Sequence, residues 1–250
     1  MQENLLDVFN AYNGIVCCTG AGGKKTTMFR LAAAHTGRVG ITATAHIEFF
    51  PKALPATRYI APEDELLEMI KSDHTSGVIA FAQPSARRGR RAGISLPLIN
   101  EFKTQGNFDL LLIKADGARS RWIKAPAEHE PPVPQCTDTV IAVVSARAIG
   151  KRLTAKIAHR VDRITAISGL QENEIIKPYH IARLLASTEG ALKNTGAARV
   201  IPLINMVDDH EREQLACEVA REALSMTNRF DTIVLASMRN VEPVIDVIKR

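Results

Sequence analysis

Short, unbroken apolar runs along this chain alternate with longer stretches whose apolar positions recur at helical spacing. Ile15 to Cys18 and Thr139 to Ser145 are apolar with little polar alternation, the pattern of strands covered on both faces of a parallel sheet. Between 39–42, 58–60, 77–81, 108–115, 199–204 and 232–237 lie further short strand patterns. Helical spacing covers 4–12, with Leu5, Val8, Phe9 and Tyr12, and returns after residue 27 with Met28, Phe29, Leu31 and Ala32. Pro62 followed by Glu63, Asp64 and Glu65 suits the start of a helix carrying Leu66, Leu67, Met69 and Ile70. Pro97 places the start of another near Ser95, running to Phe102, and 179–187 and 211–226 read as helices. Val244 to Ile248 reads as a last amphipathic helical turn or two. Repeated alternation of strand and helix predicts an α/β fold of three layers, with a mostly parallel sheet between helices.

The 250 residues, 46% of them hydrophobic, suffice for the core of a single domain over 1–250. Charged residues are mixed in sign, as in a folded globular chain. A net charge of +5 favours an anionic partner, which nucleotides, phosphorylated substrates and nucleic acids all satisfy. Cys17, Cys18, Cys136 and Cys217 show no zinc-site spacing and no disulfide framework, which points to a reducing compartment. The start, MQENLLDVFNAYNG, carries acids where a secretion signal carries bases, and no segment approaches the about 18 apolar residues of a membrane span. A cytoplasmic protein without membrane contact is expected.

Thr19-Gly20-Ala21-Gly22-Gly23-Lys24-Lys25-Thr26-Thr27 stands between a buried strand and a helix. Glycines let successive N–H groups turn inward as an anion nest, and the helix start adds its dipole. This is the context of a P-loop, with one irregularity. Counting from Lys24 puts Lys25 where a hydroxyl belongs, and counting from Lys25 replaces the last glycine by Lys24. Gly23 directly before Lys24 favours Lys24 as the β/γ-phosphate lysine, with Thr26 or Thr27 on the magnesium side.

The tracts TGAGGKKTTMFRLA, VGITATAH, IKADGARSRWIKAPAEHEPPVP and LINMVDD, in this order, resemble the YqeC family, accessory proteins of selenium-dependent molybdenum hydroxylases. The family pattern reads GGKTT where this chain has GGKKTT, and E-A-D-G-S-R where it has Lys114-Ala115-Asp116-Gly117-Ala118-Arg119. The resemblance implies an NTP-dependent step in making or installing a selenium-containing cofactor, with a molybdenum hydroxylase or its maturation factors as partners.

Asp116 ends an apolar strand where a carboxylate would hold magnesium, and Thr44, after the second strand, can add a hydroxyl. The following segment, 115–138, is long for a connection and is expected to be a substrate loop. In it Arg119 and Lys124 can neutralise phosphate and Glu130 can act as ligand or base. Arg87, Arg88, Arg90 and Arg91 form a basic loop without interleaved aromatics, so solvation or a lid over phosphates fits better than RNA binding. Asn205-Met206-Val207-Asp208 follows a strand and resembles the guanine motif N-K-x-D, with Ser237 ending the next strand. The expected ligand is Mg-ATP or Mg-GTP, with GTP favoured. The expected activity is NTP hydrolysis or NTP-dependent transfer or ligation, and the competing class is a non-catalytic nucleotide-dependent chaperone or adaptor.

Overall fold

The computed structural model describes residues 4–48, 50 and 54–250, so the first three residues of the amino-terminal stretch lie outside it. In chain order the elements are α1 (Leu5–Val8), β1 (Gly14–Gly20), α2 (Lys24–Ala34), β2 (Val39–Ala43), β3 (Ile47–Glu48), β4 (Ala56–Ile60), α3 (Glu63–Ser72), β5 (Val78–Ala82), β6 (Arg90–Arg91), α4 (Ile99–Gln105), β7 (Leu110–Lys114), β8 (Ile123–Lys124), β9 (Thr139–Ser145), β10 (Ala158–His159), α5 (Val161–Ser168), α6 (Pro178–Ala186), β11 (Arg199–Asn205), α7 (His210–Met226), β12 (Thr232–Ala236) and β13 (Val244–Lys249).

Nine strands form one sheet in the order β13-β12-β11-β9-β1-β7-β2-β5-β4, parallel throughout except for β13. The buried strands carry alternate residues to two cores, because successive side chains of a strand point to opposite faces. Ile15 and Cys17 of β1 join Leu66, Phe102, Leu184 and Val219 from α3, α4, α6 and α7. Val16 and Cys18 instead join Leu6, Met28 and Leu31 from α1 and α2. The sheet between these two helical layers is the expected three-layer architecture of P-loop NTPases. Among the described residues no helix is long and apolar enough to cross a membrane.

Several elements differ from the sequence pattern. The first helix is one turn, Leu5–Val8, capped by the Asn4 side chain, because Asn10 takes a left-handed backbone. Residues 244–248 form part of an antiparallel strand rather than a helical turn: β-branched Val244, Val247 and Ile248 pair with the open edge of β12, and Ile245 stands at a shift in register. Residues 151–168, for which periodicity predicted no element, hold β10 and α5. The chain order runs outward from β1 to β4, returns beside β1 with β7 and β9, and runs outward again to β13. A crevice therefore opens at the carboxyl ends of β1, β7 and β9, where open α/β sheets bind ligands.

Candidate functional site

The glycine-rich loop from Thr19 to Thr27, expected to bind phosphate, lies at this crevice. β1 ends at Gly20, and Gly20, Gly22 and Gly23 all have positive φ, at 83°, 92° and 137°. At all three space as well as φ demands glycine: a Cβ on Gly20 would stand 2.2 Å from the Val143 carbonyl oxygen, one on Gly22 2.9 Å from the Ser145 backbone nitrogen, and one on Gly23 2.1 Å from Asn205 Nδ2. Helix α2 then starts with Lys24 and Lys25, without a side-chain cap and without an acid in its first turn. Two cations at the positive end of a helix dipole are locally unfavourable.

Lys24 is not the exposed side chain that a solvated lysine would be: it is 6% accessible and lies back across the loop, donating to the Gly20 carbonyl. Its Nζ is 2.9 Å from Asp116 Oδ1. Thr27 turns its hydroxyl to the Gly23 carbonyl of its own helix, at 3.3 Å, and is buried, so it is withdrawn from ligand contact. Thr26 is exposed and faces the cleft, which leaves it as the hydroxyl of the loop. Lys25, also on the cleft, is ion-paired with Glu48, whose second oxygen is 3.4 Å from Arg90. Lys25 is the chief cause holding the Glu48 carboxyl below its ordinary range.

Asp116, 2% accessible, is the pivot of the site. Its Oδ2 accepts from the Gly20 backbone N–H at 3.1 Å and from Lys124 Nζ at 2.8 Å. Oδ1 is buried, with the Lys24 ammonium beside it as its ion-pair partner. Burial alone would raise the Asp116 pKa, but Lys24 and Lys124 together outweigh it and hold the carboxylate ionised. Lys124 continues to Glu130, and Glu130 is gripped by Arg160 through both oxygens, at 2.7 and 2.9 Å. Lys24, Asp116, Lys124, Glu130 and Arg160 thus form a row of alternating charge. The ribbon of β8 and β10 sets its geometry, since it pairs Lys124 with His159, the residue before Arg160.

The residues of the expected substrate loop are placed differently from one another. Lys124 is buried within the row and away from the open cleft, so it positions Asp116 and Glu130 rather than neutralising a ligand. Glu130 reaches the cleft, but its two ion pairs keep it below its ordinary pKa despite burial, which makes it a poor base. Arg119 is exposed on the cleft, as expected of a ligand-binding side chain. Thr44 donates to the Pro132 carbonyl at 2.7 Å and lies off the cleft lining, tying the loop to the end of β2.

Lys114, which stands where the family pattern has a glutamate, ends β7 on the cleft and donates to the His46 carbonyl at 2.8 Å. Burial above all, then the Lys24 charge, pushes its pKa down to about 7. The cleft holds about 620 Å³ and is lined by three lysines (24, 25 and 114) and six arginines (87, 90, 119, 121, 160 and 239), against two carboxylates, Glu48 and Glu130. Two members of the basic loop, Arg87 and Arg90, therefore reach the cleft.

The turn after β11 departs most from expectation. Asn205 is buried, donating to the Gly22 carbonyl at 2.7 Å and accepting from the Met238 N–H at 3.1 Å. It braces the glycine-rich loop against the turn after β12, with both ends of its amide engaged. Asp208 accepts from Ser237 Oγ at 2.8 Å and from Arg147 at 2.7 Å, and it lies off the cleft lining. Met206 does line the cleft, in a left-handed backbone. Sequence reasoning missed His159 and Arg160; the signal was present in Val161, Ile164 and Ile167, spaced three apart as on a helix face.

The YqeC protein family matches residues 16–162, more than half of the chain. The chain belongs to the YqeC family. The match begins in β1 and ends at the start of α5, so it takes in the phosphate loop, Asp116 and the whole charge row, and stops short of Asn205 and Asp208. The chain is also similar to the uncharacterized protein YqeC of Escherichia coli (strain K12), with 29% identity over 195 residues that cover 74% of this chain and 73% of the relative.

Proposed function

We propose that this YqeC-family protein binds a magnesium nucleoside triphosphate, with its phosphates on the loop from Thr19 to Thr27. The observation that carries this reading is the uncapped start of α2, where two lysines stand at the positive end of the dipole behind three glycines of positive φ. A polyanion relieves that conflict, and the excess of cations around the cleft supports the same ligand. Lys24 would exchange Asp116 for the β- and γ-phosphates. Magnesium would be held by Thr26, on the cleft, and by Asp116, buried behind it, whose Oδ1 loses its ion-pair partner once Lys24 turns to phosphate; Mg²⁺ takes one or two protein oxygens beside phosphate. When bound, the ion neutralises charge between the outer phosphates.

The nucleotide serves, by the family resemblance, a step in making or installing a selenium-containing cofactor for a molybdenum hydroxylase. Both carboxylates on the cleft are ion-paired, which favours slow turnover until a second substrate or a partner protein arrives. That observation supports transfer to a substrate, or a nucleotide-dependent adaptor, above unassisted hydrolysis. Calorimetric titration with Mg-ATP and Mg-GTP tests the binding, and phosphate release, alone and with candidate partner enzymes, tests turnover. A protein that takes up neither nucleotide sinks the reading.

A further inference from the structure

A second cleft, of about 630 Å³, opens beside the first and shares Arg119, Arg121, His159 and Arg160 with it. Among the described residues, eight non-glycine positions have positive φ. Four are Asn10, Asn107, Asn173 and Asn194, the residue type that tolerates this conformation best. The other four are Arg119, Ser120, Arg160 and Met206, and all of them line the nucleotide cleft; Arg119 and Arg160 line the second cleft too. Unfavourable backbone held at residues of the wrong type gathers where function, not folding, chose the side chain.

The charges of this second cleft are distinctive. Arg160 is already held by Glu130, whereas among the described residues the Arg119 and Arg121 guanidiniums meet no carboxylate; Arg121 reaches only the Arg119 carbonyl, at 3.4 Å. His159 beside them is pushed down to about 4, first by burial and then by Arg160, Lys124 and Arg119, so at neutral pH its ring is an uncharged hydrogen-bonding group. Asp162 and Glu172 lie on the same lining, where they repel a second anionic group but accept from hydroxyl or amino groups. Two guanidiniums with fork geometry match a dianionic phosphate ester better than a monoanionic carboxylate.

The geometry points to this cleft as the binding site of a second substrate, a small phosphate ester bearing hydroxyl or amino groups, gripped at its phosphate by Arg119 and Arg121. The proposal deepens the nucleotide reading and rests on it only for the placing of the ester beside the nucleotide phosphates.

Glycerol 3-phosphate is a suitable probe, titrated into protein whose phosphate loop is saturated with Mg²⁺ and a non-hydrolysable GTP analogue. Saturable one-to-one binding is expected, with glycerol giving none and the double variant Arg119→Ala/Arg121→Ala weakened at least tenfold. Both arginines lack a carboxylate partner, so the variant should melt as the unmodified protein does. Arg119→Lys/Arg121→Lys, which keeps the charges, should retain more of the binding than the alanine pair. No binding by the unmodified protein, or equal affinity in the alanine variant, overturns the proposal. Lys24→Ala without nucleotide separates the two sites: binding that persists there supports the second cleft, and binding that vanishes assigns the probe to the phosphate loop and overturns it. Failure to bind nucleotide, with the probe still held by the arginines, would count against the nucleotide reading alone.

Discussion

The phosphate loop and the Asn205–Asp208 turn stand at the carboxyl ends of β1 and β11, two places apart in the sheet, and they treat their polar groups in opposite ways. At the turn everything is closed within the chain: Asn205 uses both ends of its amide, and Asp208 is shared among Ser237, Arg147 and Arg212. At the loop the lysines on the positive end of α2 are held by ion pairs instead, Lys24 with Asp116 and Lys25 with Glu48. The turn's bonds are internal to the fold, whereas on the proposed reading the loop's ion pairs are the ones a nucleotide exchanges. Recognition should therefore rest on the phosphates and little on the base.

The largest effect that would break this contrast is expected at Lys24. Lys24→Ala should weaken Mg-nucleotide binding by about a hundredfold or more, since it removes a charge-assisted contact at the phosphates. Isothermal calorimetry reads it directly, and unchanged affinity with a damaging Lys25→Ala would move the register by one residue. Next comes Gly23→Ala, which puts a Cβ against Asn205 Nδ2 and forces a φ of 137° on an L-residue. Destabilisation by about 2–3 kcal/mol is expected, and chemical denaturation would show it. A wild-type midpoint would mean that the brace between loop and turn is slack.

Asp116→Asn sharpens the magnesium side of the contrast. About tenfold weaker nucleotide binding with magnesium, and a much smaller change in excess chelator, is the expected pair of results. Equal losses in both conditions would make Asp116 a purely structural partner of Lys24 and Lys124.

Lys114 gives a pH signature. In the unfolded chain it stays protonated to about pH 10, whereas in the fold its pKa is pushed down to about 7. Between those values the unfolded state binds more protons, so this residue makes stability rise with pH; its penalty is complete below about 7 and gone above about 10. Lys114→Met should therefore stabilise the protein near pH 7, by on the order of 1–2 kcal/mol, and flatten the dependence of the melting temperature on pH from 7 to 10. An unchanged slope would show that the amine is hydrated in solution. The smallest effect concerns the base: affinities for Mg-GTP and Mg-ATP should agree within about threefold, because the Asp208 carboxylate that would reward guanine is already engaged. A GTP preference beyond tenfold, lost in Asp208→Asn, would restore the guanine motif.

Much of the fold was legible because it rests on period and punctuation. Ile15 to Cys18 followed by three glycines within four residues announces strand and loop, and 139–145 is apolar enough that its limits were read to the residue. Val244 to Ile248 misled because Val-Ile-Asp-Val-Ile fits a helical stripe and an edge strand alike, and only the open side of β12 decides between them. The site was legible in its residue types but not in its pairings. Asp116, Lys124 and Glu130 were singled out as chemistry, yet nothing local reveals that Arg160, 30 positions beyond Glu130, completes their row through a two-residue ribbon.

That row has an odd number of members. Three cations and two carboxylates cannot be divided into couples, so one cation is always a third party: either Lys24 leaves Asp116–Lys124 and Glu130–Arg160 complete, or Arg160 leaves Lys24–Asp116 and Lys124–Glu130 complete. Either end can depart without stranding a buried charge, and the two cannot depart together. The interior members have no such freedom. On the proposed reading, a phosphate that draws Lys24 away would leave Arg160 bound to Glu130, so the left-handed corner at Arg160 would be held while the far end of the row is in use.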